Sequence, residues 1–215
     1  GASVCESCQI DVVSVNGTMR GEDCHVKKMV LLGEGEFYRS ELEYIRVLGR
    51  LCGSDISAAH VCVGSRFMFS MHGRNRKQLL AKGLQGELLE NLMPLQLSDQ
   101  RFETIVNEEA LVCDGEVECR SFFTFHDTRI HELNTDFCYI EPFHRIGIKE
   151  LHASLVIIDP GFDPAWMKDI TLTYPLKKRS RNQKHAHVRI DCIEADEVVV
   201  DYAHIALIRG DRITI

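Results

Sequence analysis

Apolar and polar residues alternate along most of this chain, and such alternation is typical of β-strands with one buried face. The pattern is clear near the start, at 10–15 and 26–32. From residue 104 onward, strand-like runs follow one another almost without interruption. The pattern therefore predicts a strand-rich protein.

Two stretches depart from alternation and predict helices. In 37–52 the apolar residues recur at near-helical spacing, Ser40 and Glu43 have the spacing of a capping box, and Gly53 ends the run. In 76–92 leucines recur every four residues on one stripe, which is the pattern of an amphipathic helix. Strands together with these two helices predict the α+β class.

The domain organisation predicted from this pattern has two parts. An N-terminal α+β region spans 1–95, and a strand-rich region spans 96–215; a single continuous domain is the alternative. No repeat of fixed period is apparent, so a solenoid is not expected.

Composition sets further expectations. A chain of 215 residues with 45% hydrophobic residues can bury a core, and its longest apolar runs are far shorter than the roughly 20 residues that cross a bilayer. No membrane span is predicted. Nine cysteines without an evident secretory signal predict reduced thiols and a cytoplasmic or nuclear location.

The formal net charge of −7 provides no global attraction for a polyanion, so nucleic acid would need a local basic patch. Such a patch lies within 177–187, a run without acidic residues. It predicts contact with single-stranded RNA, with a solvated loop as the alternative. Its proposed RNA-binding residues are Lys177, Lys178, Arg179, Arg181 and Lys184.

Two groups of residues could hold a metal or perform chemistry. Soft ligands that could bind a structural zinc ion occur at Cys5, Cys8, Cys24 and His25, although adjacent residues on a strand point to opposite faces. A second group could supply a general base or a metal site: His126, Asp127, His131, His144 and His152. Because no known catalytic motif accompanies them, no catalytic residue is assigned and no cofactor is expected apart from zinc.

Two segments of the last third resemble the signatures of the Sm and Sm-like proteins. The segment 204–215, an apolar strand running into Ile-Arg-Gly-Asp, resembles the second signature, and 155–174 resembles the first. Asp159 matches the family's Asp, Phe162 its Met and Asp163 its Asn. Trp166 matches the Leu that follows in the family. The resemblance covers about 144–215 and would make the chain an atypical member with an expanded loop.

The resemblance implies a small Sm-like β-barrel or curled antiparallel sheet whose last strands pair with a neighbouring subunit. It assigns interface roles to Ala206, Leu207, Ile208, Arg212, Ile213 and Ile215, and RNA contacts to Phe162, Asp163 and Arg209. Asp163 departs from the family Asn because an ionised carboxylate only accepts hydrogen bonds, so uridine-specific recognition is not expected.

The sequence therefore predicts a non-enzymatic ribonucleoprotein scaffold or assembly subunit, forming hetero-oligomers or homodimers through its C-terminal strand edges. Two alternatives remain open. The first is an RNA-binding module that uses the basic run 177–187. The second is a His/Asp-dependent hydrolase or nuclease, which requires His126, Asp127, His131 and His144 to meet in one cleft.

Overall fold

The computed structural model describes residues 1–65, 77–82, 84–176 and 187–215, and these ranges are mostly β-strand. The strands are β1 (Ala2–Glu6), β2 (Gln9–Val15), β3 (Thr18–Glu22), β4 (His25–Leu31), β5 (Glu34–Val47), β6 (Arg50–Val63), β7 (Lys77–Lys82), β8 (Gln85–Asn91), β9 (Leu95–Leu97), β10 (Gln100–Asn107), β11 (Leu111–Thr124), β12 (Thr128–Ile140), β13 (Ile146–Ile158), β14 (Val188–Val200), β15 (Ala203–Arg209) and β16 (Arg212–Thr214). A 3₁₀ helix, Pro164–Met167, lies between β13 and β14. In the described ranges, no helix is both long and apolar enough to cross a membrane.

The strands stack in parallel, turn upon turn. Ala2 pairs with Thr18, Thr18 with Glu34 and Glu34 with Arg50, so these successive turns are 16 residues apart. All the strand pairings in the described ranges are parallel, and they join the strands into one sheet. The molecule is a β-solenoid of about 12 turns.

The predicted α+β fold is therefore wrong. The stretch 37–52 belongs to β5 and β6, and the described part of 76–92 contains β7 and β8 instead of a helix. The antiparallel Sm-like barrel predicted for 144–215 is wrong too, since β13 to β16 continue the parallel stack. The expectation that the chain is not a solenoid is also wrong. Near the predicted boundary at residue 95, β9 pairs with both β7 and β11.

The spacing of buried positions explains the false helix. In β5 the buried residues are Gly35, Phe37, Ser40, Leu42, Ile45 and Val47, so the steps alternate between two and three residues. The buried residues of β12 follow the same spacing from Thr128 to Cys138, after which Tyr139 and Ile140 are buried as well. One three-residue step in β5 contains Arg39, which has a φ of 46° and so departs from strand geometry. Steps of three within a strand imitate helical spacing, because a helix also places i and i+3 on one face.

The interior of the solenoid is mostly apolar, but a polar ladder crosses it at one corner. Asn91 Nδ2 donates to Asn107 Oδ1 at 2.6 Å. Asn107 Nδ2 donates in turn to the hydroxyl oxygens of Thr124 at 3.0 Å and Thr128 at 2.9 Å. All four residues are buried, so these bonds satisfy polar groups that would otherwise be costly to bury. The ladder fixes the chain on both sides of 125–127.

The segment 159–176, here called the strap, leaves the end of β13 and packs back over earlier turns. Its Phe162 ring lies 5.0 Å from Phe125 and 5.1 Å from Tyr139, centroid to centroid. Its Trp166 ring lies 5.2 Å from Tyr139. Further along, the Tyr174 ring lies 5.4 Å from the guanidinium of Arg46, which is in β5. The strap therefore covers an aromatic patch on the outside of the solenoid.

Candidate functional site

The C-terminal strands form an edge of the sheet. Within the described ranges, β15 and β16 both pair only with β14. Large apolar side chains are exposed here: Leu207 is 43% exposed, Ile213 45% and Ile215 92%. Ile208 instead packs partly against the core. Of the other residues with predicted interface roles, Ala206 and Arg212 are exposed.

The basic side chains of this edge are already paired within the chain. Arg209 forms an ion pair with Glu194 through Nη1 and Oε1. Arg212 Nη2 lies 2.7 Å from Glu197 Oε2. These carboxylates therefore partly neutralise the positive charge that Arg209 would offer to a phosphate, although both pairs are exposed and weak.

The residues that were matched to the first Sm signature lie in the strap. Phe162 and Trp166 are half-buried in the aromatic patch described above. The Asp163 carboxylate caps the 3₁₀ helix by accepting a hydrogen bond from the backbone N–H of Ala165 at 2.9 Å. To stack on an RNA base, either ring would have to give up part of this packing.

The five basic residues predicted to bind RNA, Lys177, Lys178, Arg179, Arg181 and Lys184, lie outside the described residues. Within the described ranges, a groove of about 590 Å³ crosses the outer surface of several turns. Its charged lining residues are Glu41, Glu43, Glu87, Glu103, Glu118, Asp136, Arg101 and Arg120. Because carboxylates outnumber guanidinium groups, this groove does not favour a polyanion.

Of the predicted zinc ligands, Cys5 and Cys24 contact each other, whereas His25 contacts carboxylates. Cys24 is buried, and its Sγ donates to the carbonyl oxygen of Cys5 at 3.6 Å. Burial and the neighbouring Cys8 raise the pKa of the Cys5 thiol, which favours the protonated thiol when no cation is bound. The ring of His25 lies instead between two carboxylates of β5, 3.2 Å from Glu41 and 3.3 Å from Glu43.

A different group of residues converges at the solenoid corner beside the polar ladder. His126 and Asp127 lie between β11 and β12, and His144 lies one turn later between β12 and β13. One ligand atom from each of these three residues lies within 4.8 Å of the others. The two imidazole rings stack with centroids 4.3 Å apart and an interplanar angle of 22°.

Backbone pairing between turns creates this convergence. The backbone N–H of Thr128 donates to the Arg145 carbonyl oxygen at 2.9 Å, which brings the two corners together. The backbone N–H of Arg145 also donates to Asp127 Oδ1 at 2.9 Å. That carboxylate oxygen is 3.8 Å from His144 Nδ1.

The other histidines of the predicted group lie elsewhere. His131 Nε2 is 3.5 Å from Lys149 Nζ, and His152 Nδ1 is 3.5 Å from Glu194 Oε2. The structure thus brings together three of the four residues that the hydrolase hypothesis requires. His131 is not among the residues that converge.

A buried carboxylate that sequence reasoning missed joins the strap to the solenoid. Glu90 in β8 is 2% exposed, and its Oε1 accepts a hydrogen bond from the Thr173 backbone N–H at 2.5 Å. Its Oε2 lies 3.1 Å from His60 Nε2. Glu90 appears in sequence as one more acidic residue, and only its burial distinguishes it.

These features define a parallel β-solenoid with an edge of exposed apolar residues and a histidine–carboxylate corner. Comparison with known proteins finds no matching family model, curated protein or solved structure.

Proposed function

We propose that this chain is a non-enzymatic scaffold that binds other protein subunits by adding a parallel β-strand to the edge formed by β15 and β16. The observation that carries the proposal is the exposure of Leu207 and Ile213, on strands that pair only with β14 within the described ranges, and of Ile215 directly after β16. An open strand edge presents backbone donors and acceptors to another strand, and exposed apolar side chains add burial energy when it is covered.

A second copy of the chain offers a strand of suitable polarity. Strands β1 and β2 lie at the other end of the stack, where Val4 is 69% exposed and Val12 is 71% exposed. Placing β1 of one copy against β15 of another would continue the parallel pairing from chain to chain. Such head-to-tail contact adds subunits without limit unless the rotation closes a ring.

Sedimentation velocity over a range of protein concentrations tests this proposal. We expect the wild-type chain to show assemblies that grow with concentration, and Leu207→Lys combined with Ile213→Lys to shift it to the monomer. Leu32→Lys is the matched control, because Leu32 is 42% exposed but lies between β4 and β5, away from the edge. A wild-type chain that stays monomeric at every concentration would contradict the proposal.

Val12→Lys extends the same experiment to the opposite end. If copies stack head to tail, this variant should weaken assembly as much as the double lysine variant does. Assembly that depends on Leu207 and Ile213 but not on Val12 would instead indicate a different partner surface for the C-terminal edge.

The ribonucleoprotein context and the binding of single-stranded RNA by 177–187 stay predictions. A separate experiment tests RNA binding: the affinity for single-stranded RNA is measured as a function of salt concentration. Neutralising Lys177, Lys178, Arg179 and Arg181 together should abolish that affinity if the basic run is the binding site.

A further inference from the structure

The corner that contains His126, Asp127 and His144 has the chemical composition of a transition-metal site. Two neutral imidazoles and one carboxylate are the ligands that zinc accepts in sites with three protein ligands. The ligand atoms of the three residues lie within 4.8 Å of one another. All three residues are half-buried, so water is partly excluded while an approach from solvent remains.

The surroundings of His126 indicate which of its nitrogens is available. Its Nε2 faces Glu109 Oε2 at 3.7 Å, whereas its Nδ1 is buried and has no hydrogen-bond partner. Histidines that bind metals usually direct the other ring N–H towards a carboxylate, which fixes the tautomer and makes the ligating nitrogen more basic. With its proton on Nε2 and facing Glu109, His126 would have a free lone pair on Nδ1.

Asp127 and His144 are already close to the separation that two ligands of one ion require. Asp127 is held by the Arg145 backbone N–H at 2.9 Å, and its Oδ1 lies 3.8 Å from His144 Nδ1. In a tetrahedral zinc site, ligand atoms are about 3.3 Å apart, given bonds of about 2.0 Å. A side-chain adjustment of about 0.5 Å would bring this pair to that separation.

We propose that His126, Asp127 and His144 bind one Zn²⁺ ion or a similar divalent transition-metal ion, with Glu109 orienting His126. The imidazole ligands favour such ions over Mg²⁺ or Ca²⁺, which prefer all-oxygen sites. Glu109 lies between β10 and β11, one turn before His126, and His144 lies one turn after it. The bound ion would therefore link consecutive turns of the solenoid.

Isothermal titration calorimetry with Zn²⁺ tests the proposal on the whole chain, stripped of metal and kept reduced. We expect one ion per chain at this site, and its loss in the double variant His126→Asn with His144→Asn. Glu109→Gln should weaken binding by about tenfold or more, the usual effect of removing a carboxylate that orients a ligand. Asp127→Asn should weaken it further, because the amide keeps the acceptor for Arg145 N–H but loses the negative charge.

His131→Asn with His152→Asn is the matched control, because it removes two histidines outside the corner and should leave binding unchanged. Co²⁺ absorption separates this site from the cysteines, since ligation by Cys5, Cys8 or Cys24 would produce a thiolate charge-transfer band. We expect no such band. If the His126/His144 double variant does not fold, as judged by far-UV circular dichroism, Asp127→Asn decides the question.

Three outcomes would overturn the proposal. They are the absence of Zn²⁺ binding in the wild-type chain, binding that is unaffected by the corner variants, and a cobalt spectrum dominated by thiolate. Because the corner variants at His126, Asp127, His144 and Glu109 change no residue of β14, β15 or β16, their result is independent of the test of strand-edge assembly.

Discussion

Replacing Gly33 with alanine should destabilise the first turns of the solenoid. Gly1, Gly17, Gly33 and Gly49 follow one another at intervals of 16 residues, one per turn. A Cβ atom added to Gly33 would overlap the carbonyl oxygen of Gly17 and come within 2.6 Å of the Gly17 nitrogen. Both atoms belong to the backbone, so no side-chain rotation can relieve the overlap.

The size of the effect follows from the displacement that is needed. Restoring an ordinary contact of 3.4 Å to the Gly17 nitrogen alone requires the turns to separate locally by about 0.8 Å, and the Gly17 carbonyl oxygen, which lies closer, requires more. This movement strains two hydrogen bonds, from Glu34 N–H to Gly17 O at 2.7 Å and from Gly33 N–H to Val15 O at 3.1 Å. Loss of two backbone hydrogen bonds together with overpacking costs about 2–6 kcal/mol of unfolding free energy.

Gly147 provides the matched control, because a Cβ atom added there would meet nothing within 4 Å. Gly147→Ala in β13 should be neutral, or more stable by up to about 1 kcal/mol, since alanine loses less conformational entropy on folding. Urea denaturation followed by far-UV circular dichroism compares both variants with the wild type.

Amide hydrogen exchange shows which turns of the solenoid the Gly33→Ala substitution destabilises. Because each turn of a solenoid contacts mainly its neighbours, Gly33→Ala should increase exchange in β2, β3 and β4 while β12 and β13 stay protected. Equal stability of the Gly33→Ala and Gly147→Ala variants would refute the steric reasoning.

Two further predictions concern the strap. Burial raises the pKa of the Glu90 carboxyl, but hydrogen bonds from His60 and Thr173 outweigh it and lower the pKa overall. Since the folded-state pKa lies below the ordinary value of 4.5, Glu90 stabilises the fold above that pH and loses this contribution as the pH falls through the folded-state value. Glu90→Gln should therefore reduce the loss of unfolding free energy in this acid range, measured by urea denaturation at several pH values, and an unchanged acid dependence would contradict it. Phe162→Ala should lower the free energy of unfolding by about 2 kcal/mol, because it removes contacts with Tyr139. It should also speed amide exchange at Thr173. Unaltered exchange would indicate that other contacts hold the strap.

Part of the fold could have been predicted from periodicity. The glycines at 16-residue intervals are the sign of the repeat that the sequence contains. The positive φ of Ser7, Asp23, Arg39 and Asp55 follows the same interval, but it is visible only in the structure because the residue types differ. These signs fade after the fourth turn, because Ser57 pairs with Gln85, 28 residues later, and Ile146 pairs with Val188, 42 residues later. Insertions and turns of unequal length therefore hid the period from a search for a fixed one.

The candidate metal site, too, could be predicted from the sequence only in part. Sequence drew attention to His126, Asp127 and His144, because these residue types can bind a metal or transfer a proton. It also grouped His131 with them, since proximity along the chain was the only guide. It passed over Glu109, which faces His126 at 3.7 Å.

The sequence by itself determined that the chain is rich in strands, has an apolar interior and contains residues able to bind metal. Tertiary structure alone decided that the strands run parallel and which residues meet. In a solenoid, residues one turn apart become neighbours separated by about 4.8 Å, the distance between hydrogen-bonded strands. His126 and His144 are 18 residues apart in sequence, which is one turn of this part of the coil, whereas His131 lies within β12 and has an exposed side chain.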